Sequence, residues 1–277
     1  GEGLHISAIG TAMARVIGID PAFGYVPEYK RFLYRFLKDR ALAMLLTEAK
    51  DAVDAGDLDS ACIWQRAALA ISPDDAVALY GYGSVLGALY AESSDEAKIG
   101  NLKAESIDIF ETLTLKHPDF APGWYRLGYV YLNLGLYTKA SVAWRRYLEL
   151  ATDAETRSEI ADRLAQLDEP IAIENACNLV LSGNYDEGLE ALSHFTAGRH
   201  ADWWPLWYHI GRAHSGRGET ADAEEAFKKV LRINGTQLDA MRELVKLYEE
   251  TDRFELVKKY REKIELIENR VRQKTEE

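Results

Sequence analysis

The chain has 277 residues, 47% of them hydrophobic and 28% charged, with a formal net charge of −12. This composition can bury a core and excludes a disordered chain, and no run reaches the roughly 18–20 apolar residues of a membrane-spanning helix. The acidic balance speaks against a broad attraction to nucleic acid or anionic lipid, and two cysteines, Cys62 and Cys177, are too few for a disulfide framework or a metal knuckle.

Residues 1–41 match no internal repeat and are predicted as a helical cap, with an apolar helix over 7–17 and a second helix over 27–39. Lys30, Arg31, Arg35, Lys38 and Arg40 stand against Asp39 and give the second helix a basic, solvated face. A helix-turn-helix is the alternative there, with Ala14, Gly18 and Ile19 around its turn. Pro27 would then fall inside the recognition helix, which counts against it.

Helical periodicity begins at Leu42. Residues 42–75 carry Ala49, Gly56, Ala61, Ala68 and Pro73. The next unit opens with Leu79, Tyr82, Gly83 and Leu86. Its second half, Ser106, Phe110, Leu113 and Pro118, arrives 11 residues late. That delay places an insertion near 91–103, and Ser93-Ser94-Asp95-Glu96 reads as the N-cap of one long helix running to about Lys116.

The clearest unit, residues 121–154, has Trp124, Leu127, Gly128, Tyr131, Gly135, Ala140 and Trp144. Residues 155–168 follow as 14 extra positions with an apolar stripe of Ile160, Leu164 and Leu167, predicted as an additional helix near which the array divides into two lobes. Residues 169–202 carry Ala176, Leu179, Gly183, Tyr185, Gly188 and Leu192. The following unit repeats the best one on the same ruler with Trp207, Ile210, Gly211, His214, Gly218, Ala223 and Phe227: offsets of 3, 4, 7, 11, 16 and 20 from the first aromatic in both. The last has Met241, Leu244, Tyr248, Phe254 and Ile264 and ends in a long charged helix over about 255–274 that caps the array.

These six units resemble the tetratricopeptide repeat, whose 34-residue signature runs W-x2-L-G-x2-Y, then A-x3-F, then P. The resemblance implies an all-α fold: a right-handed superhelical stack of antiparallel helix pairs, about six repeats with one insertion and one extra helix. Its parts are the cap over 1–41, repeats one to three over 42–154, the extra helix over 155–168, and repeats four to six over 169–277. The small residues Gly128, Gly211, Ala140 and Ala223 stand where paired helices approach closely. Gly135, Gly183 and Gly218 stand where a helix C-cap needs positive φ.

In this family the first helix of each repeat builds the concave groove. Carried onto this chain, the groove positions are Tyr80 and Ser84 in the second repeat and Tyr125, Arg126, Tyr129 and Asn133 in the third. They are Tyr208, His209 and Arg212 in the fifth and Asp239, Arg242, Glu243 and Lys246 in the sixth. Tyr and Arg dominate interface hot spots because each joins contact area to a polar handle. The resemblance therefore implies a non-enzymatic scaffold that binds a peptide or helix of a partner protein, with no cofactor, no metal, no nucleic acid and no membrane. The alternative is a regulator carrying the N-terminal helix-turn-helix.

The two-carboxylate clamp by which some family members grip a chaperone tail is not carried. Its slots hold Leu46, Lys50, Gly81, Pro122 and Arg126 in the first three repeats, where only Arg126 fits, and Ile173, Cys177, His209, Asp239 and Glu243 in the last three. No GxSxG elbow, P-loop, HExxH or EF-hand loop occurs. His209 and His214 are five apart and share no helix face; His214 takes the tyrosine slot of the signature and is expected to pack between helices. Both cysteines are expected to be buried small hydrophobes. Asn234-Gly235-Thr236 reads as a turn. Without a secretory leader pattern, a cytoplasmic location is expected.

Overall fold

The computed structural model describes residues 6–37 and 40–276. Lys38 and Asp39, counted above in the basic segment, and residues 1–5 of the cap lie outside the described residues. Among the described residues there are fifteen α-helices, a short 3₁₀ turn at Gly198–His200 and no strand. The chain divides after Ala165 into two compact units.

The first unit opens with α1 (Ile6–Ile19) and α2 (Val26–Phe36). Three hairpins follow: α3 (Arg40–Asp54) with α4 (Leu58–Ile71), α5 (Ala76–Glu92) with α6 (Glu96–Lys116), and α7 (Ala121–Asn133) with α8 (Tyr137–Leu150). The unit ends with α9 (Ala154–Ala165), which packs on α8. The second unit holds α10 (Asp168–Leu181) with α11 (Tyr185–Ser193), α12 (Trp204–Gly216) with α13 (Thr220–Ile233), and α14 (Leu238–Glu250) with α15 (Phe254–Glu276). In every hairpin the two helices pack on each other, and the second helix packs on the first helix of the next hairpin within the unit.

Local chemistry explains where the helices start and stop. Asp57, Asp75 and Asp95 cap α4, α5 and α6 by accepting hydrogen bonds from backbone N–H groups of the first turn, as Asp75 does from Val77 at 3.0 Å and Ala78 at 2.8 Å. In every hairpin but α5–α6 the turn uses a left-handed residue. Gly56, Gly135, Gly183 and Gly218 supply it with φ of 76°, 72°, 88° and 75°. In the last hairpin Asp252 adopts it instead, with φ 57°, since Asp tolerates this region better than most side chains.

The late second repeat is absorbed by lengthening both its helices. Helices α5 and α6 have 17 and 21 residues, against 13 and 14 in α7 and α8.

The cap shares its core with the first hairpin: Ala14, Ile17, Val26 and Leu33 join Leu45, Trp64 and Ile71 in one buried cluster. Helix α1 crosses α4 so closely that a side-chain carbon at Gly18 would run into the carbonyl of Ile63. Helix α2 ends at Phe36, with Leu37 as its C-cap, and Pro27 stands in its first turn, where a missing N–H leaves no hydrogen bond unmade. The objection that Pro27 would interrupt a helix is thereby answered by position.

Candidate partner-binding face

The first helices of neighbouring hairpins touch along one face of each unit: α3 with α5 and α5 with α7 in the first, α10 with α12 in the second. The signature residues hold this arrangement. Gly128 faces Trp144 of its own hairpin, and a Cβ added there would collide with the indole ring. Gly211 faces Phe227 in the same way, with ring carbons 2.7 Å from an added Cβ. The indole N–H of Trp124 donates to the Pro118 carbonyl at 2.8 Å, and that of Trp207 to the Ala201 carbonyl at 2.7 Å. Each signature tryptophan thus pins the loop six residues before it, beyond the packing role read from sequence.

On the exposed side of α5 and α7, Arg126 Nε donates to the Tyr80 hydroxyl at 3.3 Å, and its guanidinium carbon lies 5.9 Å from the Tyr80 ring centroid. Tyr80 leans edge-on against Phe110 and Phe120. Beside this pair lies a cleft of about 410 Å3 whose lining includes Ser84, Tyr90, Arg126, Tyr129, Val130 and Asn133. The Ser84 hydroxyl is buried and has no hydrogen-bond partner in the structure, while Arg126 and Asn133 are exposed. Together they offer a guanidinium, an amide and a hydroxyl around an apolar floor that includes Gly83 and Phe110. The opposite face of α7 borders a larger cleft of about 620 Å3 over Trp124 and Leu127, between Leu115 and Val142, with Glu111 and Lys139 among its few charged groups. Its donors are turned inward, with Tyr131 and Lys139 on Glu111 and Thr114 on the Phe110 carbonyl, so the smaller cleft is the better candidate despite its size.

Tyr125 and Tyr129 are not free of the packing between helices, as their register implied. Tyr125 packs on Tyr147 at 5.3 Å between ring centroids, Tyr129 meets Trp144 edge-on at 5.0 Å, and the two meet each other at 5.0 Å. The Trp144 indole also donates to the Tyr125 carbonyl at 3.2 Å. Helix α9 adds a partner that no repeat motif signals. The Tyr129 hydroxyl donates to Glu159 at 2.6 Å, Arg163 donates to the same carboxylate at 3.0 Å, and the Arg163 guanidinium lies 5.1 Å from the Tyr129 ring centroid. Burial first, and then this hydrogen bond, hold the Tyr129 phenol above its ordinary range; the donated bond from Tyr129 keeps Glu159 below its own.

In the second unit Tyr208, His209 and Arg212 are half-buried on α12. Tyr208 packs on His209 at 5.6 Å and on Phe227 at 5.9 Å. A hydrogen bond with Tyr208 raises the pKa of Arg212. Burial, and then the charge of Arg212, push that of His209 down, and its buried Nδ1 has no hydrogen-bond partner in the structure. Asp239 and Glu243, the sixth-repeat positions, are held in ion pairs with Arg242 at 3.0 Å and Lys246 at 3.1 Å.

His214 is half-buried as expected, and its Nδ1 meets Glu219 at 2.7 Å. His214, Glu219 and Asp222 bring three potential ligand atoms within 4.8 Å of one another. Arg217 already pairs with Glu219 at 2.8 Å, so a guanidinium offsets the charge a cation would need. Cys177 is buried and its thiol is pushed up to about 12 by that burial; Cys62 is half-buried.

The tetratricopeptide repeat family model matches residues 121–153 and 205–237, which are the α7–α8 and α12–α13 hairpins. No curated protein matches the chain. Among solved structures, the TPR domain of P58(IPK) is 18% identical over 81% of this chain and 60% of that one, with a TM-score of 0.50. The chain therefore spans about three fifths of that protein's resolved length. YrrB, described as a TPR protein with an unusual peptide-binding site, is 20% identical over 72% of this chain and 89% of that one, with a TM-score of 0.37. A tetratricopeptide repeat protein from Parabacteroides merdae is 16% identical over 95% of this chain and 86% of that one, with a TM-score of 0.38. The α7–α8 and α12–α13 hairpins are therefore tetratricopeptide repeats, set in an all-helical fold of stacked helix pairs.

Proposed function

We infer that the chain is a non-enzymatic scaffold that holds a peptide or helix of a partner protein in the groove formed by its first helices. The tetratricopeptide fold is in general a protein–protein interaction scaffold. The observation that carries the finer reading is the cleft beside the Tyr80–Arg126 pair. It combines an exposed guanidinium, an amide and a buried hydroxyl without a partner on a face whose helices are already packed. Preformed donors of this kind bind backbone carbonyls or acidic side chains with little ordering cost. The Ser84 hydroxyl has no base in hydrogen-bond reach, which favours a binding role over a nucleophilic one. Tyr208, His209 and Arg212 offer a second set of the same residue types on α12.

Site-directed photo-crosslinking tests the reading. A photoreactive residue at Asn133 should capture the partner, and the same residue at Val142, on the opposite side of the hairpin, should not. Capture at Val142 but not at Asn133 would place the interaction elsewhere.

A further inference from the structure

The α5–α6 hairpin departs from the regular repeats beside the candidate cleft. Helices α7 and α12 end five residues after their signature glycines, at Asn133 and Gly216, whereas α5 runs nine past Gly83 to Glu92. Tyr90 stands on this added turn. Helices α8 and α13 begin three residues before the signature alanines, at Tyr137 and Thr220. Helix α6 begins at Glu96, so Lys103, three residues before Ser106, stands inside the helix and not at its start. There the Lys103 ammonium lies 5.5 Å from the Tyr90 ring centroid. Lys103 lines a small recess that shares Tyr90, Ser106, Val130 and Asn133 with the cleft holding Arg126 and Ser84. The lengthened hairpin therefore continues the cleft toward a second cation.

The charges of this surface are of one sign. Arg126 and Lys103 are its charged lining residues, and no Asp or Glu lines the cleft or the recess, in a chain of 45 acids and 33 bases. Neither cation has an ion-pair partner among the described residues; Arg126 rests on Tyr80 and Lys103 on Tyr90. Two acids bonded to neighbouring tyrosines are already engaged: Glu159 accepts from Tyr129 and Arg163, and Glu105 from the Tyr82 hydroxyl.

We propose that this surface selects a partner segment carrying carboxylate side chains, with Arg126 and Lys103 as the two cations that receive them. This selectivity rests on the groove being the peptide site, and it gives the occupant its chemistry. A free cation gains more from a carboxylate than from a backbone carbonyl, because hydrogen bonds between charged groups are roughly twice as strong as neutral ones. Each cation is held against a tyrosine ring before the partner arrives. An acidic peptide fits better than a nucleic acid. The positive surface is one cleft wide, and beyond it a polyanion meets a chain of net charge −12.

The test is selection of a random peptide library, displayed on phage, against the full chain at physiological salt, followed by fluorescence anisotropy of the enriched peptides as labelled synthetic probes. Enriched peptides should carry two or more Asp or Glu, and their Asn and Gln analogues should bind about tenfold more weakly. Lys103→Gln should weaken the acidic probe by a similar factor and flatten its dependence on salt, with the amide analogue and the thermal midpoint unaffected. Lys139→Gln, in the cleft on the opposite face of α7, should bind like the parent, which separates this site from a mere change in net charge. Acid-free peptides that depend on Arg126 and Asn133 would overturn the proposal and leave the groove reading standing. So would acidic peptides that bind Lys103→Gln as well as the parent. Peptides indifferent to Arg126→Ala and Asn133→Ala, a selection that enriches nothing, or a labelled oligonucleotide that binds where peptides do not would remove both.

Discussion

Arg126 and Tyr80 join α7 to α5 through a 3.3 Å hydrogen bond and a guanidinium lying 5.9 Å from the ring centroid, both on the exposed face. Because Arg126 is exposed, its removal frees donors for no one inside the fold. Arg126→Ala is expected to weaken binding of the captured partner segment by about 1–2 kcal/mol while leaving the thermal midpoint nearly unchanged. Fluorescence anisotropy with the cross-linked segment as probe checks the first, and a thermal melt the second. Unchanged affinity would remove Arg126 from the site.

Gly128 is expected to tolerate no side chain. The Trp144 ring fills the space, and Trp144 is fully buried. Gly128→Leu should destabilise the chain by about 1–3 kcal/mol, the usual range for overpacking. Urea titration followed by tryptophan fluorescence measures this, and an unaltered midpoint would show that the α7–α8 contact is looser than described.

Tyr125→Ala should lower stability as well, against the expectation from register alone. Its ring packs on Tyr147 and Tyr129, and each aromatic pair contributes about 0.5–1.5 kcal/mol beyond its buried area. Tyr129→Phe should cost about 0.5–1.5 kcal/mol through loss of the bond to Glu159. It should also increase hydrogen exchange in α9 more than in α7.

His209 makes a pH prediction. Its folded pKa lies below the ordinary histidine value of about 6.5 because burial disfavours the charged ring. The unfolded chain then binds more protons, so this contribution is complete above about pH 6.5 and is lost as pH falls through the folded pKa. Urea midpoints measured between about pH 7 and pH 5.5 should fall more steeply for the parent chain than for His209→Gln. Parallel slopes would mean that His209 is solvated when folded.

Much of the fold was legible because repeat physics is written in short-range spacings. Gly128 and Gly211 marked close helix contacts, and Gly135, Gly183 and Gly218 marked left-handed turns, each from its place within one unit. The turn at Asp252 carried no glycine and gave no such signal. The candidate face was only partly legible. Register placed Tyr125 and Tyr129 on α7, but their involvement with Tyr147, Trp144 and Glu159 depends on partners from 15 to 30 residues away.

The crossing of α1 over α4, with Gly18 against Ile63, has a kinetic consequence. Within each unit the hairpins close loops of a few residues, and such local contacts form early and quickly. Helix α1 reaches past two helices to its main partner, so it closes a far longer loop and can dock only after α3 and α4 have paired. The cap is then among the last parts of the first unit to assemble and among the first to open.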